Sequence, residues 1–225
     1  MTSDLQSTSD LADWDRVADQ YSNQNQANAP IDNPMYTHVQ TVFWETIGNV
    51  QGQRLLDLGC GDGWFSGMAH AFGAQIIGVD GSARLLEIAR RTYPAIEFIQ
   101  WDLAQGLPAQ LAAVDLIVST MLLMDIPDLT RLFADLRRVL SPSGRFIFTI
   151  LHPCFYAYKP HYDPTTGEWY RKVTNYQDEQ TWRVESFGGH NHYHRNLTYY
   201  TELLRANGFA ITRLYEPEWD PGPDP

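Results

Sequence analysis

The chain has 225 residues, 44 % of them hydrophobic, which suits one domain with an ordinary core that needs no disulfide or metal staples. A formal charge of −11, with no lysine or arginine cluster to offset it, opposes capture of nucleic acid or of an anionic membrane and reads as solubility. Two cysteines, Cys60 and Cys154, exclude a disulfide framework and suit a reducing, cytoplasmic setting.

The first residues, MTSDLQSTSD, carry neither a basic n-region nor an apolar h-region, and no later apolar run reaches the roughly 18 residues of a membrane span. The expectation is a soluble, unprocessed chain whose residues 1–9 are disordered. Residues 10–21, DLADWDRVADQY, put Leu11, Trp14, Val17, Ala18 and Tyr21 at helical spacing behind Asp10 as a cap. A polar Asn/Gln-rich loop follows, and after Pro34 a second helix is expected over 35–49. Strands at 54–58, 75–80, 96–101, 114–119 and 144–151 then alternate with helices near 63–72, 82–93 and 128–140. That alternation implies right-handed crossovers and an α/β fold: a Rossmann-like, doubly wound, mostly parallel sheet with helices on both faces.

The last third breaks the rhythm. Residues 152–195 are dense in aromatics, so they are neither linker nor disorder. EWYRKVTNY (168–176) and QTWRVES (180–186) are expected to pair as a hairpin lying over one end of the sheet. A helix over NLTYYTELLRAN, a Gly208 stop, a terminal strand FAITRLY and a proline-rich tail complete the chain. The expected organisation is a single domain: helical cap 1–50, cofactor-binding core 51–151, substrate-covering insert 152–195, and final helix, strand and tail 196–225.

RLLDLGCGDGWFS (54–66) holds the strongest motif. In an open α/β fold the first strand-to-helix turn faces a crevice at the carboxyl ends of the strands. Gly59, Gly61 and Gly63 let the backbone turn tightly and approach a ligand that a Cβ would exclude. The dinucleotide fingerprint requires glycine or alanine at its last position, where this chain has Trp64. The run is D-x-G-x-G-x-G, and a carboxylate at Asp57 or Asp62 repels a pyrophosphate while accepting from an amino group. Asp80 follows Asp57 at about the spacing of a ribose-binding acid, roughly 20 residues. Taken singly, Asp80 and Asp102 read equally as strand ends or helix caps. Their order and spacing together point to a cofactor.

Over residues 54–151 the chain resembles the class I S-adenosylmethionine-dependent methyltransferases, small-molecule branch. LLDLGCGDG, IIGVDGSARLLEIAR, FIQWDL and VDLIVSTMLLMDIPD are similar to that family's successive motifs. The resemblance implies S-adenosyl-L-methionine as cofactor and S-adenosyl-L-homocysteine as product. It places Asp57, Gly59, Cys60 and Gly61 around the methionine end. Asp80 would accept both ribose hydroxyls, flanked by Gly81, Ser82 and Leu85. Asp102 would accept from the adenine amino group, with Leu103 offering a backbone contact, Ser119 in the fourth-strand region that lines the methyl-transfer site, and Tyr21 folding back over the methionine part. The implied activity is methyl transfer (EC 2.1.1.-) to an O or N atom of a small molecule, in a cytoplasmic monomer or homodimer with no nucleic-acid or membrane partner.

Methyl transfer from a sulfonium needs positioning, exclusion of water and, for a hydroxyl or ammonium acceptor, proton removal. ILHPCF puts His152 just beyond the fifth strand on the crevice edge, as a candidate base or as a turn-shaping hydrogen-bond partner. YHRNLTYYTELL is similar to the C-terminal part of the small-molecule branch, which makes His194 a second catalytic candidate. Met121, Phe155, Tyr193, Arg195 and Tyr199 are the substrate-wall candidates, with Arg195 suited to a carboxylate. His190, His192 and His194 alternate and would share one face of a strand, but no acid is near in sequence and no metal is expected. Many relatives carry a histidine near position 124, where this chain has Met124 and Asp125, so no base carries over from that loop. Ser119, Cys60 and Cys154 lack the partners of a nucleophile. Three competing readings remain: a cofactor-binding regulatory module without turnover, a dinucleotide-dependent oxidoreductase, and transfer of a group other than methyl from the same cofactor.

Overall fold

Arg54–Leu58 forms β1 at the centre of a parallel sheet because a strand covered on both faces needs apolar side chains on both. The computed structural model describes residues 3–27, 34–154, 160–185 and 188–216. Around β1 lie β2 (Gln75–Asp80), β3 (Glu97–Gln100), β4 (Val114–Thr120) and β5 (Leu140–Thr149), in the order β3-β2-β1-β4-β5 and all parallel. Leu55, Leu116 and Val118 face one core with α2 (Pro34–Ile47), α3 (Trp64–Ala71) and α4 (Ala83–Thr92). Leu56, Leu58 and Ile117 face the other, with α5 (Thr130–Val139) and α6 (Leu197–Ala206). The doubly wound fold is as the alternation implies. Strand order reverses between β1 and β4, so the crevice opens where their carboxyl ends diverge.

Local chemistry sets the helix ends. Ser82 caps α4, its Oγ accepting from Leu85 N at 3.1 Å, and the helix stops at Tyr93 before Pro94. Asn196 caps α6 by accepting from Tyr199 N at 2.9 Å, and Gly208, at φ +77°, ends it.

Five expectations are corrected. Residues 3–9 are helical: α1 spans Ser3–Ala27, because tertiary bonds fix its first turns, with Ser7 Oγ donating to Asp102 Oδ1 at 2.8 Å and Gln105 Nε2 donating to Asp4 at 2.9 Å. Asp10 therefore lies inside the helix rather than capping it. β5 begins at Leu140, not 144, because the chain leaves α5 directly into pairing with Val114 before the ladder shifts register. The insert pairs differently: β7 (Glu168–Arg171) pairs with β6 (Pro160–Asp163), across a turn in which Gly167 has φ +75°. β8 (Gln180–Val184) pairs with β9 (His190–His194), because Arg16 and Arg183 grip the Gly188 and Gly189 carbonyls at their turn. Residues 209–216 form no strand, and Ile211, Leu214 and Tyr215 stay exposed: the alternation supplies a face, but no strand edge closes on it among the described residues. The tail 217–225 lies outside the described residues. No helix among them is long and apolar enough to cross a membrane.

Candidate active site

β1 delivers the glycine turn to the crevice. Gly59 N donates to Val79 O at 2.8 Å, tying the turn to β2, and Gly59, at φ +69°, lies under Leu122, where a Cβ would stand 2.6 Å from Leu122 Cδ1. Gly61, at φ +53°, lies under the Tyr21 ring. β2 ends in Asp80, which the loop itself orients: Gly61 N donates to Asp80 Oδ2 at 2.9 Å and Ser82 N to Oδ1 at 2.8 Å. Burial pushes the Asp80 carboxyl up from its ordinary range, and these backbone donors oppose that.

These elements and α1 enclose a pocket of about 670 Å³, its open mouth included. Tyr21, Gly59, Gly61 and Asp80 line it, as do Gly81, Leu85, Asp102 and Leu103, all expected around the cofactor. Four carboxylates border it, those of Asp10, Asp80, Asp102 and Asp125, and among the described lining residues there is no lysine, arginine or histidine.

Other predicted residues are placed elsewhere. Asp57 is fully buried beneath the turn, where Ser66 Oγ donates to it at 2.6 Å, because its strand position points it at α3. Burial raises its carboxyl to about 7, Ser66 opposing and Asp80 adding to the rise. Cys60 turns its sulfur toward Gly78, and burial raises its thiol. Ser82 is spent on capping α4 and on donating to Asp15 Oδ1 at 2.6 Å. Ser119 is buried within the sheet.

Among the substrate and catalytic candidates, Met121 lines the pocket at φ +54°, a left-handed conformation at the tip of β4. Tyr193, His194 and Arg195 border a smaller neighbouring cavity. Tyr193 Oη donates to Asp10, locking β9 to α1. Arg195 is buried and committed to the β4–α5 loop: its guanidinium donates to Leu123 O, Ile126 O and Pro127 O at 3.0, 2.7 and 2.8 Å, so it shapes that loop rather than presenting a fork to the pocket. Tyr199 packs its ring on Arg195. His194 Nε2 lies 3.0 Å from Tyr176 O, and the residue does not line the larger pocket. His152 does not border the pocket either; its Nε2 lies 2.6 Å from Glu216 Oε1, and its Nδ1 accepts from Cys154 N. Phe155 lies outside the described residues.

Sequence reasoning missed the walls that α1 and the turn after β4 contribute. Ser7 and Leu11 reach the pocket from α1, where Leu11 Cδ2 would stand 2.2 Å from a Cβ on Gly81; Trp14 was read only as helix packing. Asp10 was read as a cap, and Asp125 only as the residue in place of a lost histidine. Helical spacing marks α1's inner face but not what that face meets.

The fold and this crevice define a nucleoside-cofactor protein of the doubly wound class. The methyltransferase-domain family matches residues 56–148. A solved S-adenosylmethionine dependent methyltransferase from Mesorhizobium loti is 31 % identical with a TM-score of 0.69, covering 77 % of this chain and 81 % of that one. Malonyl-[acyl-carrier protein] O-methyltransferase of Erwinia billingiae is 37 % identical over 45 % of this chain and 40 % of its own length. Trans-aconitate 2-methyltransferase of Azoarcus sp. is 35 % identical over 51 % of this chain and 46 % of its own. The match thus spans less than half of either of these curated relatives. The chain belongs to the S-adenosylmethionine-dependent methyltransferases. Its cofactor is S-adenosylmethionine, and the residues fit it: glycines a Cβ would obstruct, an oriented carboxylate with lone pairs left for two hydroxyls, and a second acid at the end of β3.

Proposed function

We propose that this chain transfers a methyl group from S-adenosylmethionine to an oxygen or nitrogen atom of a small molecule. The carrying observation is the charge of the pocket: four carboxylates and no described cationic side chain. S-adenosylmethionine is a net cation and is attracted there, whereas the pyrophosphate of a dinucleotide is repelled, which counts against an oxidoreductase. When bound, the cofactor supplies an activated methyl on a sulfonium.

In this reading the protein contributes position and shelter. Asp80 holds the ribose through both carboxylate oxygens, and Asp102 accepts from the adenine while also bonding Ser7 Oγ and capping the turn Leu103–Gln105. Tyr21 packs over the glycine turn and closes the methionine end. α1 excludes water from the methyl side, where Met121 and Asp125 remain to meet the acceptor. The carboxylates favour an acceptor with a donor group, an amine or hydroxyl, and the O-methyltransferase among the curated relatives supports oxygen.

A panel of small amines, phenols and carboxylates, assayed for S-adenosylhomocysteine release with mass analysis of the product, tests the reading. A mass gain of one methyl on an O or N atom is expected. Release of no homocysteine product with any acceptor, despite tight cofactor binding, would favour the regulatory module instead.

A further inference from the structure

β9 places His190 and His192 on one face of the strand, turned toward the short 3-10 turn Leu123–Asp125 after β4. Three donor atoms meet there. His190 Nε2 lies 2.9 Å from His192 Nε2, His192 Nε2 lies 3.1 Å from Asp125 Oδ1, and all three lie within 4.8 Å of one another. Both histidines are buried, and the Asp125 side chain is only 9 % exposed. The sequence shows no acid near these histidines; the fold brings one from another strand's end.

Hydrogen bonding alone does not account for this cluster. An imidazole nitrogen offers one proton or one in-plane lone pair, not both. His192 Nε2 faces both His190 Nε2, at 2.9 Å, and Asp125 Oδ1, at 3.1 Å, so its single proton or lone pair serves only one of the two. A buried carboxylate beside two ring nitrogens only 2.9 Å apart is a donor set that a cation among them would satisfy together. A tetrahedral zinc ion with bonds of about 2.0–2.1 Å sets its ligand atoms about 3.3 Å apart; the 2.9 and 3.1 Å separations lie close to that, and the remaining one, within 4.8 Å, closes by a rotation of the side chains.

We infer that Asp125, His190 and His192 form a binding site for a first-row divalent transition metal, zinc being the ion best suited to two imidazoles and a carboxylate. Calcium and magnesium prefer all-oxygen cages and fit less well. His194, the third alternating histidine, is not a ligand, since its Nε2 faces the Tyr176 carbonyl. The surroundings hold the donors in place: the Trp14 ring lies 4.5 Å from the His190 ring, and Asp125 N donates to Leu122 O at 2.7 Å. Asp125 borders the large pocket and His192 the smaller cavity, so a three-ligand site keeps a coordination position toward a bound molecule. The site does not depend on methyl transfer.

The test takes the full chain, stripped by a chelator, and titrates it with Zn²⁺ by calorimetry and with Co²⁺ by visible absorption. One equivalent is expected to bind saturably. Asp125→Asn and His192→Ala should each weaken binding by about 100-fold or more, while His161→Ala, on the exposed β6, should not. Circular dichroism melts report whether the variants fold. Should they not, anomalous diffraction at the zinc edge from wild-type crystals decides: a peak between the three residues supports the site, and a peak elsewhere overturns it. Absence of saturable binding by the wild-type chain, or unchanged affinity in both folded cluster variants, also overturns it.

Discussion

The floor of the pocket and its roof are held by different physics. The floor is the sheet, where Leu55, Leu56, Leu58, Leu116, Ile117 and Val118 are fully buried between two helical layers. Such burial is non-directional and, at about 25 cal/mol per Å², collectively large. The roof is α1 with β8 and β9. α1 buries few apolar residues, chiefly Val17 and Ala18, and is attached by directional polar bonds on both sides. Toward the core, Asp15 accepts from Ser82 Oγ and Arg84 N at the start of α4, and Asp19 pairs with Arg84 at 2.9 Å. Toward the insert, Asp10 accepts from Tyr193 and Asn191, and Arg16 donates to Gly188 and Gly189. Each such bond contributes little by itself, because water replaces it readily. A rigid floor under a separable roof is what a buried cofactor needs in order to enter and leave.

The largest expected effect falls on the floor. Phe133→Ala empties a fully buried site on α5 and should cost about 3–5 kcal/mol of global stability, read by denaturant titration. A loss confined to one segment would show that the sheet is not one cooperative unit. Asp80→Ala comes next: loss of an acceptor for two hydroxyls, at about 1.5–3 kcal/mol each, should weaken S-adenosylhomocysteine binding by about 100-fold or more in calorimetry. Unchanged affinity would remove the ribose assignment.

A third effect tests the floor through pH. The Asp57 carboxyl is raised to about 7 in the folded chain, from an ordinary value near 3.8 when unfolded. The folded state therefore holds its proton more tightly. The resulting stability is complete below about pH 4 and is lost as pH rises through about 7. Asp57→Asn should flatten the melting temperature across that interval, and a variant with the wild-type slope would assign the slope to other groups.

The smallest effect belongs to the roof. Tyr193→Phe removes one hydrogen bond to Asp10, worth about 1.5–3 kcal/mol to a charged partner. It should speed amide exchange in α1 while β1 and β4 keep their protection. Equal acceleration in both would mean that roof and floor open together.

The floor was almost wholly legible in the sequence. The run of β1, the three glycines and the acids at 57, 80 and 102 are local features, and strand–helix alternation carries their arrangement. Even there, side-chain direction was not legible. Asp57 and Asp80 both flank the glycine turn, yet Asp57, inside β1, is turned under it against Ser66, while Asp80 ends β2, where the Gly61 and Ser82 amides hold it at the pocket. The roof was read poorly. The polar composition of residues 3–9 suggests disorder, and only partners at Asp102 and Gln105 make them helical. Arg195 and His152 looked available for substrate because a sequence does not show which carbonyls or carboxylates claim them.

The sequence by itself determined the doubly wound sheet, the glycine turn and the acids at its strand ends, because these follow from periodicity and spacing within short stretches. Only the tertiary structure decided the strand pairing of the insert, the placement of α1 across the pocket and the meeting of Asp125 with His190 and His192. Those depend on side chains far apart in sequence, whose polar bonds are individually weak and are selected only when the rest of the fold has fixed their positions.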